Sequence, residues 1–276
     1  MYNSLFCSLA LCEKITLMAK DIINGYVTAE THNGITTIEF FHPQSNSLPR
    51  RLLADLAHEI HTAGIDKDAK VIVLRSAGEK AFCAGASFDE LTKIEDKDKG
   101  YAFFSGFAEV INAMRKCPKM VIGRIHGKCV GGGVGLAAAV DYAIATEASE
   151  IKLSELAVGI GPFVVGPAVQ RKIGMSSFSQ LAIDASMWRN ADWARRKGLF
   201  AECHPTIEGM DESIHRLANQ LAHSSTEAMY EMKKMFWQGT DDWDTLLPQR
   251  AEISGRLVLS NFTKEAIAKF KAKTPA

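Results

Sequence analysis

Apolar positions in this chain change period repeatedly up to about residue 200 and then settle into one period. Tyr26-Val-Thr-Ala-Glu30 and Ile35-Thr-Thr-Ile-Glu-Phe40 are β-rich runs separated by His32-Asn-Gly34. Asn and Gly accept the positive φ of a tight turn, so this segment predicts a hairpin. Pro49 then opens a helix with Leu52, Leu53, Leu56 and Ile60 on one face, closed by Gly64. Val71-Ile-Val-Leu74 and Met120-Val-Ile-Gly-Arg-Ile125 read as strands, and residues 101–114 between them as a helix. Residues 136–140 continue as a helix, and Tyr142-Ala-Ile-Ala145 and Ile151-Lys-Leu153 give further short strands. This alternation predicts an α/β fold. Beyond Met210 only the helical period remains, over 211–222, 226–237, 242–259 and 262–272. Pro205 and Gly209 mark the change, so the chain divides into an α/β core over 21–205 and a helical region over 206–276.

Residues 1–20 stand outside this pattern. Their apolar run lacks a preceding basic segment and a cleavage site, and is too short to span a bilayer. They are expected to form a disordered extension, with Met18 just ahead of the first structural pattern. Charge excludes further classes. Lys plus Arg and Asp plus Glu both number 32, and no block of like charge appears, so nothing marks a nucleic-acid or anionic-membrane surface. The six cysteines show no paired metal-ligand spacing and read as reduced thiols of an intracellular, cytoplasmic protein.

The candidate chemistry lies in two small-residue turns. Each of Ala84-Gly-Ala86 and Val130-Gly-Gly-Gly133 stands between a predicted strand and a predicted helix. Without bulky side chains, the backbone N–H groups of such turns can approach a ligand closely. Two turns brought together can hold one oxygen between two donors, which is what stabilising an oxyanion requires. Gly133-Val-Gly-Leu-Ala-Ala138 also matches the dinucleotide fingerprint G-x-G-x-x-A. The strands that follow are very short, however, and no acid clearly ends one where the ribose would need it.

Five segments together resemble the enoyl-CoA hydratase/isomerase (crotonase) family. They are Pro43-Gln-Ser-Asn-Ser-Leu48, Ala81-Phe-Cys-Ala-Gly-Ala86, His126-Gly-Lys-Cys-Val-Gly-Gly-Gly133, Asp141-Tyr-Ala-Ile-Ala145 and Ser154-Glu-Leu-Ala-Val-Gly-Ile160. The resemblance spans about residues 24–272 and keeps the family's order and spacing. It implies a spiral of β-β-α units making two sheets, followed by a helical trimerisation region, with homotrimers or dimers of trimers. It also implies an acyl-CoA thioester substrate, with coenzyme A arriving as part of that substrate and neither metal nor redox cofactor required. The oxyanion donors implied are the N–H groups of Ala86 and Gly132. Substrate contacts fall at Asn46, Lys80, Ala84, Ala86, Gly131 and Gly133, with Phe270 and Lys271 of the last helix adding to the pocket.

The family's hydratases hold a water between two glutamates. Here the first of those positions is Gly135, and the second is Glu155. A single carboxylate suits moving a double bond, because one base can take a proton from one carbon and return it to another. Water addition asks for more, so isomerisation is the expected reaction, with hydration and non-catalytic CoA-ester binding as alternatives. Glu155 lies in a largely apolar segment, where burial would lift its pKa above the reference of about 4.3. Asp89 and Glu90 could restore a second carboxylate, but their place at a helix start offers a structural use against the dipole. His126 reads as support for the second turn, and Trp237 and Trp243 as core or subunit-contact residues. Cys83 and Cys129 have no histidine partner in sequence that would make either a nucleophile.

Overall fold

A computed structural model describes residues 23–273. Within it, ten strands form two sheets of six and four strands. β1 (Tyr26–His32) and β2 (Ile35–Phe41) form the antiparallel hairpin, with Asn33 and Gly34 at positive φ in its turn. β2 then pairs in parallel with β3 (Val71–Ser76), and the sheet continues through β5 (Met120–Ile125), β7 (Tyr142–Thr146) and β10 (Glu202–His204). The smaller sheet carries β4 (Ala81–Cys83), β6 (Lys128–Val130), β8 (Glu150–Lys152) and β9 (Arg189–Asn190).

The β-β-α rhythm follows from this division. β3, β5 and β7 lie in the large sheet, and the strand after each, β4, β6 and β8, lies in the small one. The chain then enters a helix before returning. The helices are α1 (Arg50–Ile65), α2 (Phe88–Leu91), α3 (Lys97–Lys116) and α4 (Gly132–Ala139), then α5 (Gly166–Ile183) and α6 (Ala191–Arg196). After β10 come α7 (Ile207–Ala222), α8 (Thr226–Phe236), α9 (Trp243–Leu257) and α10 (Asn261–Lys273). No strand follows His204 among the described residues. The expectation about residues 1–20 lies outside them.

The main core joins α1, whose Leu52, Leu53, Leu56 and Ile60 are buried as their spacing predicts, to α3, α4 and the inner faces of both sheets. α4 is buried on every side, which its run of Gly, Val, Leu and Ala allows. That burial fixes the N-terminal end of α4 against β4, β6 and α3. α3 and α9 cross where Gly100 meets Gly255, close enough that a Cβ on Gly100 would lie 2.7 Å from the Gly255 carbonyl oxygen.

A buried ionic cluster ties α8 to the core. Lys233 donates to Asp141 Oδ2 at 2.8 Å and to the Lys119 carbonyl at 2.6 Å. Asp141 also accepts from the Val121 N–H and from Trp237 Nε1. Trp237 and Trp243 pack edge to face with ring centres 5.7 Å apart, both buried, so they serve packing. No helix among the described residues is long and apolar enough to cross a membrane.

Candidate active site

The first small-residue turn leaves β4 and enters α2. The Leu48 N–H donates to the Gly85 carbonyl at 2.7 Å, and the Ser87 N–H to the Leu48 carbonyl at 3.0 Å. In such a parallel bridge the residue between those two groups points its own N–H the other way. That residue is Ala86, and its amide has no acceptor among the described residues. The second turn leaves β6 through Gly131, which sits at φ 51° and ψ −114°, and opens α4 at Gly132. A first-turn amide has no partner inside its own helix and lies at the positive end of the dipole. The turns abut: a Cβ on Gly85 would lie 3.5 Å from the Gly132 nitrogen. Ala86 and Gly132 both line one cavity of about 1150 Å³.

Glu155 reaches the same cavity from a 3₁₀ turn, Glu155–Val158, closed by Gly159 at φ 80°. A Cβ on Gly131 would stand 2.9 Å from Glu155 Oε1, so the carboxyl lies against the turn that opens α4. Its Oε2 is buried with no hydrogen-bond partner. Burial pushes the Glu155 pKa up to about 7, against a smaller downward pull from its own backbone N–H. A carboxyl with that value can both accept and return a proton near neutral pH.

Gly135 also faces a defined neighbour. A Cβ there would fall 2.4 Å from Val165 Cγ1 and 2.7 Å from Val165 Cβ. The volume that a side chain at 135 would need is therefore filled by Val165, which also forms part of the cavity wall. The acids at 89 and 90 have structural partners. Ser87 caps α2 by accepting from the Glu90 N–H, and Glu90 accepts from the Arg50 N–H at 2.8 Å. Asp89 accepts from Gln44 at 2.7 Å, yet it also lines the cavity.

Several expected contacts sit elsewhere. Asn46 holds φ 56° and spends its amide on the protein, donating to the Ala77 and Ala81 carbonyls and accepting from the His42 N–H. It shapes the loop, while its neighbours Gln44, Ser45 and Ser47 form the cavity wall. Lys80 is exposed and off that wall. Gly133 is also off the wall: its Cα faces the Cys83 carbonyl oxygen, 2.3 Å from where a Cβ would be. Ala84 and Gly131 do line the cavity. Phe270 and Lys271 belong to α10, but their side chains lie outside the described residues. Phe262, Glu265 and Lys269 of that helix wall the cavity of their own chain.

His126 is buried in the turn before β6, with its Nδ1 3.2 Å from Arg124 Nη1. The thiols are poor nucleophiles: burial pushes Cys83 up to about 12 and raises Cys129 well above its usual value. Gly133 and Gly135 lie inside α4 and not in the turn before it, which the dinucleotide reading would need. Phe107, Val165 and Lys152 are cavity residues the sequence did not single out. Phe107 lies against Gly132, where a Cβ would be 2.2 Å from its Cζ. The apolar spacing of α3 marks Phe107 as buried, but not as buried here.

A family model described as enoyl-CoA hydratase/isomerase matches residues 30–275. The chain belongs to that family of enzymes. It is 24% identical over 249 residues to the trans-2-decenoyl-[acyl-carrier-protein] isomerase of Streptococcus mutans, covering 87% of this chain and 93% of that protein. It is 26% identical over 250 residues to the short-chain-enoyl-CoA hydratase of Clostridium acetobutylicum, covering 90% and 95%. The crystal structure of an enoyl-CoA hydratase from Bacillus halodurans superposes with a TM-score of 0.81 at 20% identity, over 88% of this chain and 99% of that one. That likeness establishes the crotonase fold. The relatives' names include an isomerase, hydratases and CoA-ester hydrolases.

Proposed function

We propose that the protein isomerises the double bond of an enoyl-CoA, using Glu155 as its one proton carrier. The thioester carbonyl oxygen would sit between the Ala86 and Gly132 amides. Glu155 would take a proton from C2 of a 3-enoyl-CoA, sending the electron pair toward that oxygen, and would return the proton to C4 as the 2-enoyl product forms. Donors fixed in place stabilise the charged oxygen more than the neutral carbonyl, and this difference lowers the barrier. The observation that carries the reading is the isolation of Glu155. Its pKa stands near 7 in the cavity that Ala86 and Gly132 also line, and Val165 occupies the volume a second carboxylate at 135 would need.

A second reading, hydration, is favoured by the lining: Asp89 and Glu265 wall the same cavity and offer other carboxylates, Asp89 from the first turn of α2 after Ala86. The proposal carries with it a homotrimer or dimer of trimers working in the cytoplasm. A panel of 3-enoyl- and 2-enoyl-CoA esters tests the reaction. The expected result is conversion of 3-enoyl to 2-enoyl esters without accumulation of 3-hydroxyacyl-CoA. Rapid 3-hydroxyacyl-CoA formation that Asp89→Asn abolishes would replace isomerisation with hydration. Tight ester binding without any product would make the protein a binder.

A further inference from the structure

Lys152 lines the cavity three residues before Glu155, and its ammonium has no carboxylate or hydrogen-bond acceptor among the described residues. It stands over Trp188 instead, 4.3 Å from the ring centre. Lys128 approaches the same ring to 4.8 Å. Glu150 is the carboxylate that meets this pair, and it does so only at Lys128, 3.9 Å away. Two ammonium groups on one indole repel each other, while the ring face partly offsets that repulsion. Burial and the Lys128 charge both lower the Lys152 pKa. An anion between the lysines would relieve each of these costs.

The backbone fixes where such an anion would lie. Lys152 pairs with Val130 across β6 and β8, and its carbonyl accepts the Gly131 N–H at 2.9 Å. Its Cα is therefore about one strand spacing, roughly 4.8 Å, from the turn that presents Gly132. The ammonium forms no ion pair with Glu155, whose Oε2 has no hydrogen-bond partner among the described residues. Lys152 thus lines the cavity one strand away from the Gly132 turn, with its ammonium over Trp188. The pyrophosphate of coenzyme A is held a whole pantetheine arm from the thioester, too far to fill that place when the arm is extended. The wall also carries Leu91, Phe103, Phe104 and Phe107, and its other charged residues are Asp89, Glu155, Glu265 and Lys269.

We propose that the acyl group carries a carboxylate at its far end, as in the mono-thioester of a dicarboxylic acid, and that Lys152, held over Trp188 beside Lys128, binds it. The inference rests on the acyl-CoA reading above and narrows it to a substrate class. Binding of saturated esters tests it without requiring turnover. Adipoyl-CoA and hexanoyl-CoA match in length and differ in a terminal carboxylate against a methyl. Adipoyl-CoA should bind about tenfold more tightly to the intact chain, the effect of one charge-assisted contact at a half-exposed site. Lys152→Met should remove the preference while leaving hexanoyl-CoA affinity unchanged, and Lys152→Arg should retain most of it. Equal affinities in the intact chain, or a preference that survives Lys152→Met, overturn the proposal. Equal weakening of both esters by Lys152→Met, absent with 3′-dephospho-CoA esters, assigns the lysine to the nucleotide phosphate and also overturns it. Binding of neither ester removes the acyl-CoA reading itself, a separable outcome.

Discussion

Gly135→Ala is the smallest perturbation that probes why this chain has no side chain at 135. Gly135 is not among the glycines at positive φ, and it lies inside α4. Backbone preference alone would then favour alanine by about 1 kcal/mol. Packing opposes this. The new methyl would fall 2.4 Å from Val165 Cγ1, against a normal carbon–carbon contact of about 3.5–4.0 Å. Val165 is 3% exposed and is backed by Val164, Ala168 and Val169, all buried, so it has little room to retreat by the ångström required. Overpacking of this kind costs about 1–3 kcal/mol. Set against the helix gain, the net loss is about 0–2 kcal/mol, or up to roughly 8 °C in Tm for a chain of this size. Thermal unfolding of Gly135→Ala, Val165→Ala and the double variant completes the cycle. The double variant should be more stable than the sum of the single changes by about 1 kcal/mol or more, because the alanine methyl enters the space that Val165 vacates. A Gly135→Ala protein more stable than the parent by the full helix gain, or an additive cycle, would refute the packing argument. The same crowding would keep Gly135→Glu from acquiring hydratase activity without a smaller residue at 165.

Other consequences follow from the buried charges. Lys233→Met leaves Asp141 without its cation in a buried site, and should cost about 3–5 kcal/mol; a Tm drop below about 3 °C by calorimetry would contradict this. Glu155 has its folded-state pKa raised from 4.5 to about 7. The folded state therefore holds a proton that the unfolded state releases between those values. Stability is fully present below about pH 4.5 and falls as pH rises toward 7, by up to about 3 kcal/mol. In Glu155→Gln this loss should be absent when denaturant midpoints are compared at pH 5 and pH 7.5. The same titration should make kcat/KM rise with pH and level off above about 7, since the base must be ionised to take the first proton. A flat profile between pH 5.5 and 8 would count against Glu155 as that base.

Much of the architecture is legible in the residues themselves. The buried stripe Leu52, Leu53, Leu56 and Ile60 appears as α1, and the hairpin and the C-terminal helices fall close to their predicted positions. β4 and β6 are only three residues long, too short for a period to declare itself, and they became visible as strands only by pairing Cys83 with Cys129. α5 went unread because Gly174, at φ 76°, interrupts its helical pattern. Ala86, Gly132 and Glu155, which line one cavity, each stand in a local motif. Asn46 entered through the resemblance, and a motif does not reveal that its amide is held by the His42, Ala77 and Ala81 backbone. Val165 carried no signal at all, since its role exists only when α5 is folded against α4. Lys152 looked like an ordinary strand lysine until Trp188 was brought beneath it.

The central claim is that the carboxyl at 155 transfers the proton while the main-chain donors hold the ester oxygen. Glu155→Gln tests it most directly, with the rate of 3-enoyl-CoA conversion measured beside ester affinity and thermal stability at pH 7.5. The account predicts a fall in kcat of about a hundred- to ten-thousandfold, with affinity and folding retained. A variant that folds, binds and still turns over within a few-fold of the parent would contradict it.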